Sequence, residues 1–338
     1  MEKNMSRPDN RPEKVLTDSA QTKIEIVNTV QDWVSRLSKH PAQQNYLAMY
    51  SSWSNAIVTN PSLMMIPLDD HMVHRGDGVF EAIKMVGGKI YLLDAHLARL
   101  RKSMEMISLA APMPEAELKE LVVHVARAAK EPDLLLRLYV SRGPGGFGVD
   151  PKESVGSQFY AVASRLKNLD EAIYNSGVKA ITVDNHLKEG IWSTVKSCNY
   201  LPNVMMKMAA NSKGAFLSIN KTKDNFLGEG STENILVLTE DHRVLYPPFD
   251  YTLRGTTLLR LIELMKSAKY NIEQKQISMT ELYSAKQVMA IGTTLEAISI
   301  VEIDGKKIAD GKVSEFSQWA RSLLAKDVKS DSYATTKV

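Results

Sequence analysis

The chain is 338 residues long, a size at which one core usually gives way to two, and its 44% hydrophobic and 24% charged residues are those of an ordinary globular protein. Its 42 basic and 39 acidic residues leave a formal charge of +3 and are spread along the chain, without the basic block that nucleic acid selects. A single cysteine, Cys198, excludes an internal disulfide and a cysteine metal cluster, and no apolar run reaches the roughly 18 residues of a membrane span.

The polar start MEKNMSRPDNRPEK carries acids and lacks the apolar centre of a secretory signal. A cytoplasmic protein with no metal, no nucleic acid and no membrane partner is expected. Val27, Val30, Val34 and Leu37 at helical spacing predict an amphipathic helix over 24–37, stopped by Lys39-His40-Pro41. Residues 56–92 read as strands and turns. Two apolar runs across Gly87-Gly88 make a hairpin, and Asp94 is read as the cap of a helix presenting Leu97, Leu100, Met104 and Ile107. A second helix over 115–130 follows, then strands at 134–140 and 157–163 around the glycine-rich loop 143–148.

The second half alternates strand and helix. Strands are expected at 178–183, 215–219, 234–238, 244–246, 272–277, 287–291 and 298–303, and helices at 200–212, 257–268 and 314–325, with Ser278 and Glu281 as a capping box. The class is α+β. An N-terminal extension over 1–45 with one helix, a small domain over 46–164, a polar linker over 165–176 and a large domain over 177–338 are expected.

Lys196 lies in the short, weakly polar segment Ser193–Tyr200, followed by the Met-rich run 204–208. A lysine there is ordinarily a surface residue; desolvated, it becomes a nucleophilic, carbonyl-trapping amine. Two Gly-Thr-Thr tripeptides, 255–257 and 292–294, offer glycine, hydroxyls and, in the first case, a helix start, which together can cradle an anion; capping alone is the plainer alternative. Glu229 stands between two glycines before an apolar strand, either as a solvated turn residue or aimed at a cationic group. Arg99 adjoins the apolar face of its helix, as a snorkelling side chain or an anion ligand. An amine, a carboxylate, an anion cradle and an arginine are the set that pyridoxal phosphate needs, holding its aldehyde, its ring nitrogen and its phosphate.

The ordered segments HRGDGVFEAIK (74–84), HLARL (96–100), RLYVSRGPGGFGVDP (137–151), VKSCNYLPN (195–203), GEGSTENILVL (228–238), LRGTTLL (253–259) and IGTTLEAISIVEIDG (291–305) resemble the fold-type IV, or class IV, pyridoxal-phosphate aminotransferases. These include branched-chain and D-amino-acid aminotransferases and aminodeoxychorismate lyases, and residues 65–81 most resemble the plant-type D-amino-acid branch. The resemblance implies two α/β domains with the cofactor between them, and a homodimer whose site borrows a loop from its neighbour. By position it makes Lys196 the catalytic lysine that carries the cofactor and moves the proton between substrate Cα and cofactor C4′. It places Glu229 on the pyridine nitrogen, Arg99 on the phosphate, Tyr200 on the phenolic oxygen, and Leu253, Thr256, Thr257, Thr293 and Thr294 in the remaining cradle.

For the substrate the resemblance leaves several candidates: Arg75, where branched-chain enzymes commonly have tyrosine, with Phe80, Lys84, Arg137 and Arg142. GFGVDP (146–151) is similar to the branched-chain loop, while GDGVFEAIK is closer to the D-amino-acid enzymes. The arginine-histidine pair of bacterial D-amino-acid enzymes is absent, and Glu81-Ala82 stands where lyases tend to carry a threonine. Transfer of an amino group from a D-amino acid such as D-alanine to a 2-oxo acid, in a ping-pong cycle, is the expected reaction. Branched-chain L-amino-acid transamination, the lyase reaction and non-catalytic cofactor binding are the alternatives.

Overall fold

The computed structural model describes residues 25–37, 44–184 and 190–338. The chain divides into two units at Ser38/Lys39. In the first, helix α1 (Val30–Arg36) starts at Thr29, whose side chain accepts the Asp32 N–H, and Leu37 is its C-cap; none of its residues is buried. The helix is shorter than the 24–37 span, and the Lys39-His40-Pro41 stop lies outside the described residues.

The second unit is built on two sheets. The first contains β1 (Tyr46–Ser51), β2 (Ala56–Val58), β3 (Gly78–Val86), β4 (Lys89–Tyr91), β5 (Leu134–Ser141) and β6 (Gln158–Arg165). The second contains β7 (Val178–Val183), β8 (Leu217–Lys221), β9 (Leu227–Gly230), β10 (Asn234–Leu238), β11 (Val244–Tyr246), β12 (Ile272–Gln274), β13 (Gln287–Gly292), β14 (Glu296–Ile303) and β15 (Lys306–Lys307). The last strand, β16 (Thr335–Lys337), returns to the first sheet, giving the order β16-β4-β3-β5-β6-β1-β2 with every pairing antiparallel. The second runs β12-β11-β10-β13-β14-β7-β8-β9 and is mixed, with parallel pairs at β11–β12, β14–β7 and β7–β8.

The helices in chain order are α2 (His71–Arg75), α3 (Leu93–Met106), α4 (Glu115–Ala129), α5 (Glu171–Ser176), α6 (Ile191–Thr194), α7 (Leu201–Ser212), α8 (Thr256–Ser267), α9 (Met279–Tyr283) and α10 (Glu315–Asp327). The expected α+β class is what is found. Leu93, Leu97, Leu100 and Met104 of α3 pack on Val79, Ile83 and Met85 of β3, and Leu118, Val122 and Val125 of α4 join the same core over β1 and β6. Each such buried side chain contributes roughly 1.5–3 kcal/mol. Asp94 does not cap α3: the cap position is Leu92, in the left-handed region at φ 57°, and Asp94 is a first-turn acid complementing the helix dipole. The capping box at Ser278 and Glu281 forms as read.

The second sheet is covered on both faces at its centre, where β10 and β13 are buried along nearly their whole length. Ile235 and Val237 of β10 face one core, and Leu236 and Leu238 face another with Leu258, Leu261 and Met265 of α8. The polar stretch 165–176 carries α5, and Glu229 lies on a strand rather than in a turn.

Candidate active site

Alternation along β3 decides what each side chain does. Val79, Ile83 and Met85 enter the core under α3, whereas Phe80 and Ala82 line a cavity of about 350 Å³ between the two sheets. Glu81 is on the core-facing set and has no exposed surface. An unpaired carboxylate there would be very costly, and α3 supplies its partners. Arg99 donates from Nε and Nη2 to the two carboxylate oxygens, both at 2.7 Å, and His96 Nδ1 stands 2.6 Å from Glu81 Oε2. Burial pushes the Glu81 carboxyl up, but the Arg99 guanidinium and His96 outweigh it and hold the group at about 2. Burial lowers the His96 pKa in spite of Glu81, so the ring is neutral. Its Nε2 lies 3.1 Å from Thr256 Oγ1.

Lys196 reaches the same cavity from the second half of the chain. Its segment pairs with β3: Phe80 N–H donates to the Lys196 carbonyl at 2.9 Å and Cys198 N–H to the Gly78 carbonyl at 2.8 Å. That bridge holds Nζ 4.5 Å from the Phe80 ring centre and within 3.2 Å of the Tyr200 hydroxyl, four residues on. The bend needs Gly76, where φ is +66° and a Cβ would stand 2.3 Å from Asn199 Oδ1. Cys198 is an onlooker, its thiol pushed up to about 12 by burial and by Asp70 and Asp77.

The far wall is the anion cradle. α8 starts at Thr256 after Gly255 with no side-chain cap, and Gly255, Thr256, Thr257, Gly292, Thr293 and Thr294 all line the cavity with Arg99 and Lys196. Thr257 Oγ1 and Thr293 Oγ1 are 3.5 Å apart, so the two Gly-Thr-Thr turns meet. A residue missed from the sequence sets the first turn: Asn234 donates to the Leu253 carbonyl at 2.8 Å and lies where a Cβ on Gly255 would fall, 1.8 Å from its Oδ1. Its only signal was an asparagine at the start of an apolar strand.

Glu229 is buried, and its Oε2 accepts the Leu253 N–H at 2.8 Å. It lines an adjoining cavity of about 340 Å³ that shares Tyr200 and Leu253 with the first. Arg137 lines the first cavity and also an outer one of about 880 Å³, with Arg165 and Lys167. Of the other substrate candidates Phe80 lines the first cavity, whereas Lys84, Arg75 and Arg142 are engaged elsewhere. Lys84 Nζ pairs with Glu296 at 2.8 Å. Arg75 donates to the carbonyls of His74, Phe147 and Gly148, tying the glycine-rich loop to α2. Arg142 grips Asp77 with Nε and Nη2 and donates to the carbonyls of Ile107 and Ser108.

Among the described residues no Asp or Glu lines the Lys196 cavity, whereas Arg99, Arg137 and Lys196 do. A cationic wall and an uncapped 12-residue helix fit a phosphate monoester. The amine beside Tyr200 fits an aldehyde, and the buried carboxylate on the adjoining cavity fits a protonated ring nitrogen. The residues present therefore suit pyridoxal 5′-phosphate, which when bound supplies the electron sink for chemistry at an amino-acid Cα.

A family model described as amino-transferase class IV matches residues 78–303, from the start of β3 to the end of β14. The chain is 33% identical over 301 residues to the chloroplastic D-amino-acid transaminase of Arabidopsis thaliana, covering 87% of this chain and 80% of that protein. It is 30% identical over 254 residues to a putative branched-chain-amino-acid aminotransferase of Methanocaldococcus jannaschii, covering 74% and 86%. Identity to the D-alanine aminotransferase of Bacillus licheniformis is 29% over 276 residues, covering 80% and 94%. The fold matches that of the branched-chain amino acid aminotransferase of Escherichia coli at a TM-score of 0.80 and 19% identity, over 86% of this chain and 99% of that one. With the order of its elements and the contents of its cavity, this chain belongs to the class IV aminotransferases, which work with pyridoxal 5′-phosphate.

Proposed function

We propose that the chain transfers the amino group of a D-amino acid, D-alanine first, to a 2-oxo acid such as 2-oxoglutarate. The observation that carries the substrate class is the pair of cavities that share Arg137 and carry no Asp or Glu among the described residues, the Lys196 cavity and the outer one with Arg165 and Lys167. Carboxylates are the chemistry those side chains recognise, and Arg137 is the charged group that lines both cavities, with Leu135 and Thr294. The likeness to the Arabidopsis and Bacillus D-amino-acid enzymes supports the choice of enantiomer. Lys196 holds the cofactor and moves the proton at substrate Cα, Phe80 and Tyr200 fix the amine's position, and Glu229 holds the cofactor's ring nitrogen in its protonated form.

The walls come from residues 46–164 on one side and 177–338 on the other, which supports a small-domain and large-domain division, with β16 crossing back. A homodimer is part of this reading. Leu201, Val204, Met205 and Met208 form an exposed apolar stripe at i, i+3, i+4 and i+7 on α7, a surface that a second copy would cover. The lone cysteine supports a reducing compartment, the cytoplasm; no helix among the described residues is long and apolar enough to cross a membrane.

Purified protein given D-alanine and 2-oxoglutarate should release pyruvate, and Lys196→Ala should cut the rate at least about a thousandfold. Turnover with L-leucine and not D-alanine would move the reading to the branched-chain enzymes, to which the M. jannaschii relative belongs by name. Pyruvate formed from aminodeoxychorismate without an oxo-acid acceptor would make it a lyase. Sedimentation as a monomer would remove the dimer.

A further inference from the structure

The hydrogen bonds behind the cradle are unusually determinate. Glu81 is acceptor-only when ionised, so the His96 nitrogen facing it must carry the proton, as Nδ1–H. In a neutral ring Nε2 is then a lone pair, and the Thr256 hydroxyl must donate to it. That hydroxyl proton points away from the cavity. Of the five guanidinium N–H groups of Arg99, two are bonded to Glu81 and one to the Arg254 carbonyl, leaving two for a ligand. The Arg99 charge is also cancelled locally by Glu81, which makes direction rather than net charge the contribution of this group.

We propose that Glu81 and His96 are positioning residues for the cofactor phosphate: through one carboxylate, Glu81 fixes both the plane of Arg99 and the tautomer of His96, and His96 holds the hydroxyl of Thr256. The phosphate is then met by two Arg99 N–H groups, the backbone N–H groups of the first turn of α8, and the hydroxyls of Thr257 and Thr293. Thr256 serves through its backbone, not its side chain. Neither Glu81 nor His96 touches the ligand; each acts through a neighbour.

The test separates phosphate positioning from general stability and does not depend on which amino acid is the donor. Apo-protein, checked for fold by circular dichroism, is titrated with pyridoxal 5′-phosphate and with pyridoxal, which lacks the phosphate. Glu81→Gln should weaken the phosphorylated compound by about tenfold or more, the scale of a lost charge-assisted bond, and pyridoxal by less than about twofold. His96→Asn, which keeps a donor toward Glu81 but loses the bond to Thr256, should show the same selectivity at smaller size and decides the matter if Glu81→Gln does not fold. In protein labelled with ¹⁵N-histidine, the wild-type His96 ring should be protonated on Nδ1. Equal weakening of both compounds, tighter phosphate binding on removing the Glu81 charge, or a wild-type proton on Nε2 would each overturn the proposal.

Discussion

Glu81 also makes the protein's acid response readable one residue at a time. Its folded carboxyl sits at about 2 against an ordinary value of 4.5, so below pH 4.5 the unfolded chain takes up a proton that the folded one refuses. Stability linked to Glu81 is present in full above pH 4.5 and is lost as the pH falls toward 2, on the order of 3 kcal/mol in total. His96 has the same sign from a higher starting point. Its folded pKa lies below the ordinary 6.5, so the unfolded chain binds the extra proton first and stability starts to fall below pH 6.5. Urea midpoints of apo-protein between pH 8 and 3 should therefore decline in two stages. His96→Asn should remove the upper stage, and Glu81→Gln should shrink the lower one, to which Glu281 and Asp327, also held below their ordinary values, still contribute. A wild-type midpoint that is flat from pH 6.5 to 4 would contradict the assignment of a neutral, buried His96.

At the scale of elements, strand β3 gives one face to the core and the other to the site. Every second residue goes to α3, and the intervening Phe80 and Lys84 face the second sheet. Lys84 meets Glu296, which opens β14 just after the turn from β13 with φ +58° and whose other carboxylate oxygen lies 3.5 Å from Arg321 Nε. A non-glycine residue held there stores strain of about 1–2 kcal/mol. Glu296→Ala should lose the partner of buried Lys84 and keep the strain, whereas Glu296→Gly loses the partner and relieves it. The glycine variant should thus be the more stable by about 1 kcal/mol in urea denaturation of apo-protein, both being less stable than the wild type. Equal stabilities would mean that the turn carries no strain at this residue.

The same strand shows what could be read without coordinates. The helices α3, α4 and α8 and the strands β10 and β11 were legible because each is a local pattern. So were Lys196, Arg99 and the two Gly-Thr-Thr turns, now found on one cavity. Glu81 stood in plain view in a motif, yet its partners lie 15 and 18 residues away on another element, and no spacing rule couples a strand to the helix packed on it. Lys84 and Arg142 were among the substrate candidates that the resemblance left; their acidic partners, Glu296 and Asp77, could be chosen only once the strands were aligned. The last strand, β16, was not legible, since three residues carry no preference of their own and it exists through its pairing with β4, while the strand expected over 272–277 closes early, at Gln274, where its pairing with β11 ends.

For the whole molecule, the question is what keeps the two walls of the cavity in register. Asp327, at the end of α10, accepts from Arg260 Nε at 2.8 Å and Nη2 at 2.6 Å, and from the Tyr91 hydroxyl at 2.6 Å. Arg260 belongs to α8, the cradle helix, and Tyr91 to β4 in the first sheet, so one buried carboxylate joins both halves. Just beyond it β16 pairs with β4, and the Val338 N–H donates to the Gly88 carbonyl at 3.0 Å. The Arg321–Glu171 pair has a similar fork geometry but an exposed acid. Burial, not the number of bonds, should decide which matters. Asp327→Ala leaves the Tyr91 phenol without its acceptor and the largely buried Arg260 guanidinium with Glu263 and Tyr333 as its remaining partners, and should cost about 3 kcal/mol, whereas Glu171→Ala, whose carboxylate is solvated and screened, should barely move the unfolding midpoint. Denaturant unfolding of the two apo-proteins gives the comparison directly, with cofactor excluded because ligand bound only to the native state would mask the difference. If both variants lose the same small amount, the link through Asp327 is not what holds the halves together, and β16 with its pairing to β4 becomes the element to remove next.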